Sequence, residues 1–287
     1  MFAIYKKEIK SYFSNVTGWL FIAFLLFFTG IFATSINLQQ MSASFELVVL
    51  NASLVLLLGI PVLTMKSVAD EKGQKTDKLL YSLPIKTSSI IIGKYLAMVT
   101  VIFIASVVMA IYPIIISLYG IIDYTLAYTA ILGFFLLGCA LSSIGLFLSS
   151  LTESMVIAAV LSFTSALLLY IMNGAVSLLP VDAKGSFICF CVLFVVLGII
   201  AYVLSKNQLI GIITAACGVI PTSVCYIMWK EKFEGVFPKL VSFLAVFDRF
   251  YSFAYGVFDI TAIVYFLSVI VFFVFLTVLS LEKKRWN

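Results

Sequence analysis

Residues 95–122, YLAMVTVIFIASVVMAIYPIIISLYGII, form a run without a single Asp, Glu, Lys or Arg, and this run decides the fold class. A helix rises about 1.5 Å per residue and the hydrocarbon core of a bilayer is about 30 Å thick, so about 20 apolar residues suffice to cross it. Seven further stretches of the 287-residue chain also lack these charged residues, namely 11–45, 47–65, 124–152, 154–181, 185–205, 207–229 and 260–281. The sequence therefore predicts an all-α polytopic membrane protein, a bundle of about eight transmembrane helices forming one domain over residues 1–287.

The composition agrees with a membrane protein and excludes most enzyme classes. Hydrophobic residues make up 63% of the chain and charged residues only 11%, whereas a soluble domain carries roughly 25% charged residues. Histidine is absent, which removes Ser-His and Cys-His nucleophilic pairs and His-based metal sites. No glycine-rich phosphate-binding loop occurs, and the five cysteines all fall within apolar stretches. We therefore expect no catalytic residue, no cofactor and no metal site in this chain.

The distribution of basic residues predicts the orientation in the membrane. We place the spans at about 17–36, 46–65, 92–119, 124–149, 155–179, 187–204, 209–229 and 260–281. With the N-terminus in the cytoplasm, 13 of the 18 Lys and Arg residues lie on the cytoplasmic side, as the positive-inside rule requires. The pair 187–229 is divided only by the short, mildly polar hairpin Lys206-Asn207-Gln208.

Residues 1–16 are predicted to form an amphipathic helix at the inner membrane interface. Apolar side chains recur there at helical spacing with three lysines between them: Phe2, Tyr5, Ile9 and Tyr12, with Lys6, Lys7 and Lys10. Such a helix places its apolar face in the acyl boundary and its lysines near anionic headgroups. A positively charged flank of the first span is the alternative.

Residues 66–91 form the longest polar segment on the predicted cytoplasmic side. Both charge signs occur in it, and Thr76 to Leu83 can form a helix with a leucine cluster on one side. Thr76 is a suitable N-cap, Asp77 suits the positive end of the helix dipole, and Pro84 limits the length of the helix. A loop that only reverses the chain needs about two to eight residues, so this segment is predicted to contact a partner.

The predicted outer segment, residues 230–259, is rich in aromatic residues over 236–258 and is interrupted only by Lys239 and the Asp248-Arg249 pair. An interfacial helix and a re-entrant element both fit this pattern. Adjacent residues on a helix do not face each other, so a buried ion pair between Asp248 and Arg249 is not expected.

Small residues recur on one face of the fourth predicted span, at Gly138, Ser142, Gly145 and Ser149. Small side chains allow helix backbones to approach closely in lipid, so we expect this face to pack against another helix. The neighbour is either a helix of the same subunit or one of a second subunit. Pro113, inside the third predicted span, is expected to kink it unless neighbouring groups satisfy the carbonyl that it leaves free.

Glu46, Asp123 and Glu153 all lie at span ends, whereas ion-coupled transporters place such groups near the midplane. If the protein moves a substrate uphill, the energy is therefore expected from outside the membrane portion.

Three stretches together resemble the permease subunit of a type-2 ABC exporter. They are IYKKEIKSYFSNVTGWLF near the N-terminus, ADEKGQKTDKLLYSLPIKTSSIIIGKYLA before the third span, and FDRFYSFAYGVFDITAIVYFLSVIVFFVFLTVLSLEKKRW near the C-terminus. In the second stretch Asp70-Glu71, Thr76-Asp77, Leu79-Leu80, Pro84 and Gly93-Lys94 match the family pattern. The resemblance is to the branch of gliding-motility, copper-processing and antibiotic-peptide-immunity permeases. One departure is Lys75, where the family often has glycine before the threonine; Gly73 is the other residue that could supply the tight turn.

The resemblance implies a transporter permease that is not itself an enzyme, in a bacterial plasma membrane. A pair of ABC ATPase subunits, which bind the ATP, would dock on residues 66–91, and the permease would work as a homodimer or heterodimer. Residues 70–83 would form the coupling helix, with these ATPase-coupling positions: Asp70, Glu71, Thr76, Asp77, Lys78, Leu79, Leu80, Leu83 and Pro84. Export or extraction of a hydrophobic, lipid-like or peptide substrate is expected. An ATPase-coupled membrane sensor or scaffold that signals rather than transports is the alternative, and no nucleic-acid partner is expected.

Overall fold

The computed structural model describes residues 1–76, 86–118, 120–205, 208–228 and 233–286, and within these ranges every regular element is a helix. A π-helix, Thr34–Gln39, extends the second helix. The α-helices in chain order are α1 (Phe2–Ser14), α2 (Val16–Ala33), α3 (Phe45–Thr64), α4 (Ala69–Gly73), α5 (Thr87–Met109), α6 (Tyr112–Ile116), α7 (Tyr124–Leu151), α8 (Met155–Leu178), α9 (Ala183–Ser205), α10 (Gln208–Met228), α11 (Val236–Leu244), α12 (Val246–Ala254) and α13 (Ile260–Trp286). The predicted all-α polytopic fold is confirmed.

Six helical stretches in the described part of the chain are long and apolar enough to cross a membrane. They are Val16–Gln39, Phe45–Gly73, Thr87–Ile116, Tyr124–Leu151, Met155–Met172 and Ile260–Lys283. The additional predicted pair, 187–204 and 209–229, corresponds to α9 and α10, so both segments are helical. That this pair crosses the membrane stays a prediction.

The first compact unit, Met1–Leu168 with Val246–Asn287, is built around α7. This helix packs against α3, α5, α12 and α13. Its most apolar window is 72% buried inside the protein, compared with 17% for the corresponding window of α13. Helix α7 is therefore the centre of the unit, and most of the surface of α13 is not covered by the described residues.

The second compact unit, Leu169–Ala245, is organised around the antiparallel pair α9 and α10. The ring of Phe187 stacks on that of Tyr226, with 4.7 Å between the ring centroids. Phe190 meets Phe237 of α11 edge to face at 5.0 Å, so aromatic contacts hold all three helices together.

The third predicted span differs from expectation at both ends. Helix α5 begins at Thr87, five residues before the predicted start, and ends at Met109. Pro113 lies in the first turn of the separate helix α6, where the missing proline N–H costs no hydrogen bond. The predicted distortion of this span takes the form of a break between two helices, which lies just before the proline within the candidate span Thr87–Ile116.

The aromatic outer segment forms two nine-residue helices, α11 and α12. Helix α12 packs against α7, where a Cβ added to Gly133 would lie 2.6 Å from the Cβ of Phe253. Arg249 lies over the ring of Tyr265, with its guanidinium carbon 5.8 Å from the ring centroid, a cation–π geometry. One face of α12 is thus packed on protein rather than on lipid.

Candidate functional site

The chain leaves α3 at the end of the bundle that the charge distribution places in the cytoplasm, and it forms the short helix α4. A Schellman turn ends this helix: the amide of Thr76 donates to the carbonyl of Glu71 and the amide of Lys75 to the carbonyl of Lys72, both at 3.0 Å. Lys75 has a φ of 58°, so it adopts the left-handed conformation itself, and Gly73 does not supply the turn. The prediction of one helix over 70–83 is wrong, because this turn ends α4 first.

The predicted coupling residues fall into two groups. Asp77, Lys78, Leu79, Leu80, Leu83 and Pro84 lie outside the described residues. Among the others, the hydroxyl of Thr76 donates to the carbonyl of Glu71 at 3.2 Å, and the carboxylate of Asp70 accepts from the side-chain amide of Gln74 at 2.6 Å. That Thr76 caps a helix after it stays a prediction.

The C-terminal end of α7 holds α4 in place. The hydroxyl oxygen of Ser149 accepts from the amides of Val68 and Ala69, at 3.3 and 3.1 Å. It therefore caps α4 from another helix, since the first amides of a helix have no partner within it. The ammonium of Lys72, which is buried, donates to the carbonyl of Ser150. Both ends of α4 are thus tied to α7.

Two glycines allow the close approach that these contacts need. A Cβ added to Gly145 would lie 2.6 Å from the hydroxyl oxygen of Thr64 in α3. A Cβ added to Gly73 would lie 2.8 Å from the carbonyl oxygen of Glu153, just after α7. Neither position can hold a side chain without displacing its neighbour.

The other small residues of the predicted packing face are also directed into the subunit. A Cβ added to Gly138 would lie 3.0 Å from the side chain of Ile102 in α5. Ser142 is fully buried, and its hydroxyl donates to the carbonyl of Cys139 at 2.8 Å. With the contacts of Gly145 and Ser149, the face from 138 to 149 packs on helices of the same chain.

A buried lysine joins three elements at this end of the bundle. The ammonium of Lys94 in α5 lies 3.2 Å from the carboxylate of Glu8 in α1 and 2.9 Å from that of Glu71 in α4. It also donates to the carbonyl of Ser67 at 2.7 Å. Lys7 lies 3.6 Å from Glu71. The side chain of Lys94 is only 3% exposed, so we call Lys94, Glu8 and Glu71 the buried ion cluster.

Forming the buried ion cluster adds little net stability to the fold, but breaking it would be costly. Removing an ammonium from water costs several kcal/mol, which only good geometry and further hydrogen bonds offset. Here two carboxylates and a backbone carbonyl surround the ammonium of Lys94, which donates to Glu8 and to Ser67 and forms an ion pair with Glu71. Loss of one member would leave a buried charge without compensation.

Helix α1 packs on protein through a face that differs from the predicted one. Its buried residues are Ile4, Glu8 and Tyr12, at the i, i+4, i+8 spacing of one helical stripe. Of the predicted apolar face only Tyr12 is buried, and Phe2 is 75% exposed. Sequence reasoning missed Glu8 because it considered only the apolar residues and the three lysines of α1. The sequence does indicate the burial of Glu8, because Glu8 lies midway between Ile4 and Tyr12 and so on the same face of the helix.

Tyr12 and Gly93 fix the position of α1. The Tyr12 hydroxyl donates to the carbonyl of Leu63 at 3.2 Å. Burial, and then the nearby carboxylates of Glu8 and Glu71, raise the pKa of Tyr12, so it stays a neutral hydrogen-bond donor. A Cβ added to Gly93 would lie 3.2 Å from Ile4, so the small residue beside Lys94 permits α1 to pack close to α5.

Glu71 was expected to be an ATPase-coupling position, but its carboxylate points to Lys94 of the same chain. Asp70, on the same short helix, is only partly buried. Among the described residues no group of three or more Cys, Asp or Glu side chains is arranged to hold a metal ion. The geometry of the site is thus suited to joining helices mechanically.

The comparisons with known proteins identify a family to which this chain is similar. The family model described as "ABC-2 family transporter protein" matches residues 2–185, which include the buried ion cluster, α4 and all of α7. No curated protein and no solved structure matches the chain significantly. This family consists of membrane transport components that are not themselves catalytic, and it implies association with an ABC ATPase subunit. The chain belongs to the ABC-2 transporter family and is a membrane-embedded, multi-pass permease of an ABC transporter.

Proposed function

We propose that this permease exports or extracts a hydrophobic, lipid-like or peptide substrate, driven by a separate pair of ABC ATPase subunits that hydrolyse the ATP. The ATPase would dock on residues 66–91. The permease would act as a pair of subunits in a bacterial plasma membrane, in the branch of gliding-motility, copper-processing and antibiotic-peptide-immunity permeases. The observation that carries this proposal is the attachment of α4 to the rest of the bundle.

A force applied to α4 has a direct route to three helices. Ser149 and the carbonyl of Ser150 link α4 to α7, and the buried ion cluster links it to α5 and α1. Packed helices transmit displacement because protein interiors are close-packed and have low compressibility. A partner that moves the adjoining cytoplasmic segment would therefore displace α7, the central helix, and not only a loop.

The distribution of charge supports an external energy source and an apolar substrate. In the described spans the ionisable residues lie near helix ends, as with Glu46 in the first turn of α3 and Asp123 at the N-cap of α7. Proton- and ion-coupled transporters place such groups near the midplane. Spans without a charge at mid-depth also offer no partner to a charged substrate, whereas an apolar substrate needs none.

Co-purification tests the docking site directly. The ATPase should remain bound to the unaltered permease and should be lost from a Leu79→Asp, Leu80→Asp variant, because two carboxylates replace the proposed apolar contact. Leu118→Asp is the matched control: Leu118 is 79% exposed and precedes the predicted outer end of α7, so this variant should keep the ATPase. Equal recovery of the ATPase with both variants would contradict the docking assignment.

Reconstituted vesicles distinguish transport from the alternative of a sensor or scaffold. With permease and ATPase together, ATP hydrolysis should be accompanied by movement of a fluorescent lipid or hydrophobic peptide between the two sides. ATP turnover that responds to such compounds without moving them would favour the sensor or scaffold.

A further inference from the structure

A small polar cavity lies beside the buried ion cluster. Its volume is about 120 Å³, and its walls come from α1, the start of α2, α5 and the segment after α3. The floor contains the buried residues Glu8, Tyr12 and Lys94, and the exposed residues Lys7 and Lys66 stand at its rim. Four of its lining residues, Lys66, Ser67, Asp70 and Glu71, belong to the segment 66–91 on which the ATPase is proposed to dock. The ligand of the cavity can be tested on the permease alone, so its assignment does not depend on ATPase docking.

The cavity contains a hydroxyl group that lacks a partner. Ser67 lines the cavity and is 3% exposed, and its hydroxyl makes no hydrogen bond to any described residue. Its backbone carbonyl is used by Lys94, so the orphaned group is the side chain alone. Since a buried hydroxyl without a partner is unfavourable, the cavity is suited to a ligand that hydrogen-bonds there.

The position of the cavity corresponds to the depth of the inner lipid headgroups. Asn15 and Thr17 of its wall lie at the junction where α1 ends and the first span begins, and Lys66 follows the end of α3. Trp19, one turn into the span, is 59% exposed, and its indole N–H donates to the carbonyl of Phe13 at 3.0 Å. Exposed tryptophans at span ends are typical of the membrane–water interface.

The charges around the cavity indicate a ligand that carries both signs. The lining has three ammonium groups and three carboxylates: Lys7, Lys66 and Lys94, with Glu8, Asp70 and Glu71. Lys66 makes no ion pair among the described residues, and its ammonium donates to the hydroxyl of Thr17 at 3.1 Å. An anionic group therefore fits beside Lys66 and Ser67, and a cationic group fits near the carboxylates.

The cationic group that fits is a primary ammonium. Carboxylates accept hydrogen bonds from N–H donors, whereas quaternary ammonium groups are recognised by aromatic cages. Among the described residues Tyr12 is the one aromatic side chain of the lining, and its hydroxyl already donates to the carbonyl of Leu63. We propose that this cavity binds the phosphoethanolamine headgroup of an inner-leaflet lipid, with the phosphate at Lys66 and Ser67 and the ammonium at the carboxylates.

Lipid retention by the purified full-length permease tests the proposal. The protein is incubated in detergent with equal amounts of phosphatidylethanolamine, phosphatidylcholine and phosphatidylglycerol, and the bound lipids are counted by mass spectrometry. The unaltered permease should retain phosphatidylethanolamine in preference to the other two. Lys66→Ala and Ser67→Ala should each reduce this retention about tenfold, the effect of losing about 1.4 kcal/mol of binding.

Two controls separate binding from folding and from general charge. Lys10→Ala removes an exposed lysine of α1 that does not line the cavity, so its lipid retention should equal that of the unaltered protein. Ser67→Ala deletes a hydroxyl without a partner, so in lipid-free detergent this variant should be at least as stable as the unaltered permease. Soluble phosphoethanolamine should compete with the lipid if the headgroup alone is recognised.

Three results would overturn the proposal. Equal retention of all three lipids would show that the cavity does not distinguish between headgroups. Preference for phosphatidylglycerol would indicate a simple anion site. Unchanged phosphatidylethanolamine retention in both cavity variants would place the lipid elsewhere.

Discussion

Replacement of Lys94 by methionine is the sharpest test of the buried ion cluster. Methionine has a similar length but no charge, so the carboxylates of Glu8 and Glu71 would lose their shared ammonium. Removing one partner of a buried ion pair costs about 3–5 kcal/mol. Lys7 remains 3.6 Å from Glu71, but Lys7 is 60% exposed and its attraction is screened by solvent. We therefore expect a loss of about 3 kcal/mol, the lower end of this range.

Unfolding of the permease in mild detergent by added denaturing detergent measures this loss. Lys10→Met is the matched control, since Lys10 is an exposed lysine of α1 and surface substitutions usually change stability by less than about 0.5 kcal/mol. If Lys94→Met is as stable as Lys10→Met, the ammonium of Lys94 is not compensating two buried carboxylates and the cluster is wrongly described.

Neutralising the carboxylates gives a second, independent check. Glu8→Gln and Glu71→Gln introduced into the Lys94→Met protein remove the unpaired charges, so most of the lost stability should return. The distances of 3.2 and 2.9 Å differ too little to rank the two contributions, because the Coulomb energy changes by only about a tenth. Exposure decides instead: the Glu8 side chain is 11% exposed and that of Glu71 22%, so Glu8→Gln should restore more. Failure of the triple variant to recover would refute the electrostatic explanation.

Three further predictions concern packing and capping. Gly145→Ala should lower stability by about 1–3 kcal/mol because its Cβ meets Thr64, whereas Gly174→Ala, where an added Cβ meets no neighbour, should be neutral or stabilising; thermal unfolding compares the two. Lys75→Gly should raise stability by about 1 kcal/mol in the same assay, because glycine adopts a φ of 58° without strain, and a loss would contradict the turn. Ser149→Ala should cost about 1 kcal/mol and speed hydrogen exchange of the amides that begin α4; unchanged exchange would disprove the cap.

The spans could be predicted from the sequence because a helix that crosses the hydrocarbon core of a membrane must be apolar along its length. Seven of the eight predicted spans each correspond to one helix within about five residues of the expected bounds, whereas the third, 92–119, is divided between α5 and α6. The ends of the helices were less predictable, since they depend on whether the local residues continue one helix or begin another. A proline such as Pro113 breaks a helix in one context and begins one in another, and only its surroundings decide.

The partners in the site could not be predicted, because they lie far apart in the chain. Lys94 and Glu8 are 86 positions apart, and no local pattern pairs them. The small-residue face from 138 to 149 was visible, yet whether it met its own subunit depended on where α3 and α5 lie. Lys75 shows a different limit: tertiary contacts at both ends of α4 hold a lysine in a conformation that propensity assigns to glycine.

The contacts of α4 imply that a bound lipid and an ATPase would both act on this helix. Helix α4 has only five residues and is too short to be stable alone, so its conformation depends on Ser149, Lys72 and the buried ion cluster. The proposed headgroup cavity shares Glu8, Glu71 and Lys94 with that cluster. A lipid bound there would stabilise the arrangement that ties α4 to α1 and α5, whereas an ATPase would pull on the chain that follows α4. Disruption of the cluster should therefore reduce substrate movement per ATP hydrolysed while leaving the proposed ATPase contact at Leu79 and Leu80 intact.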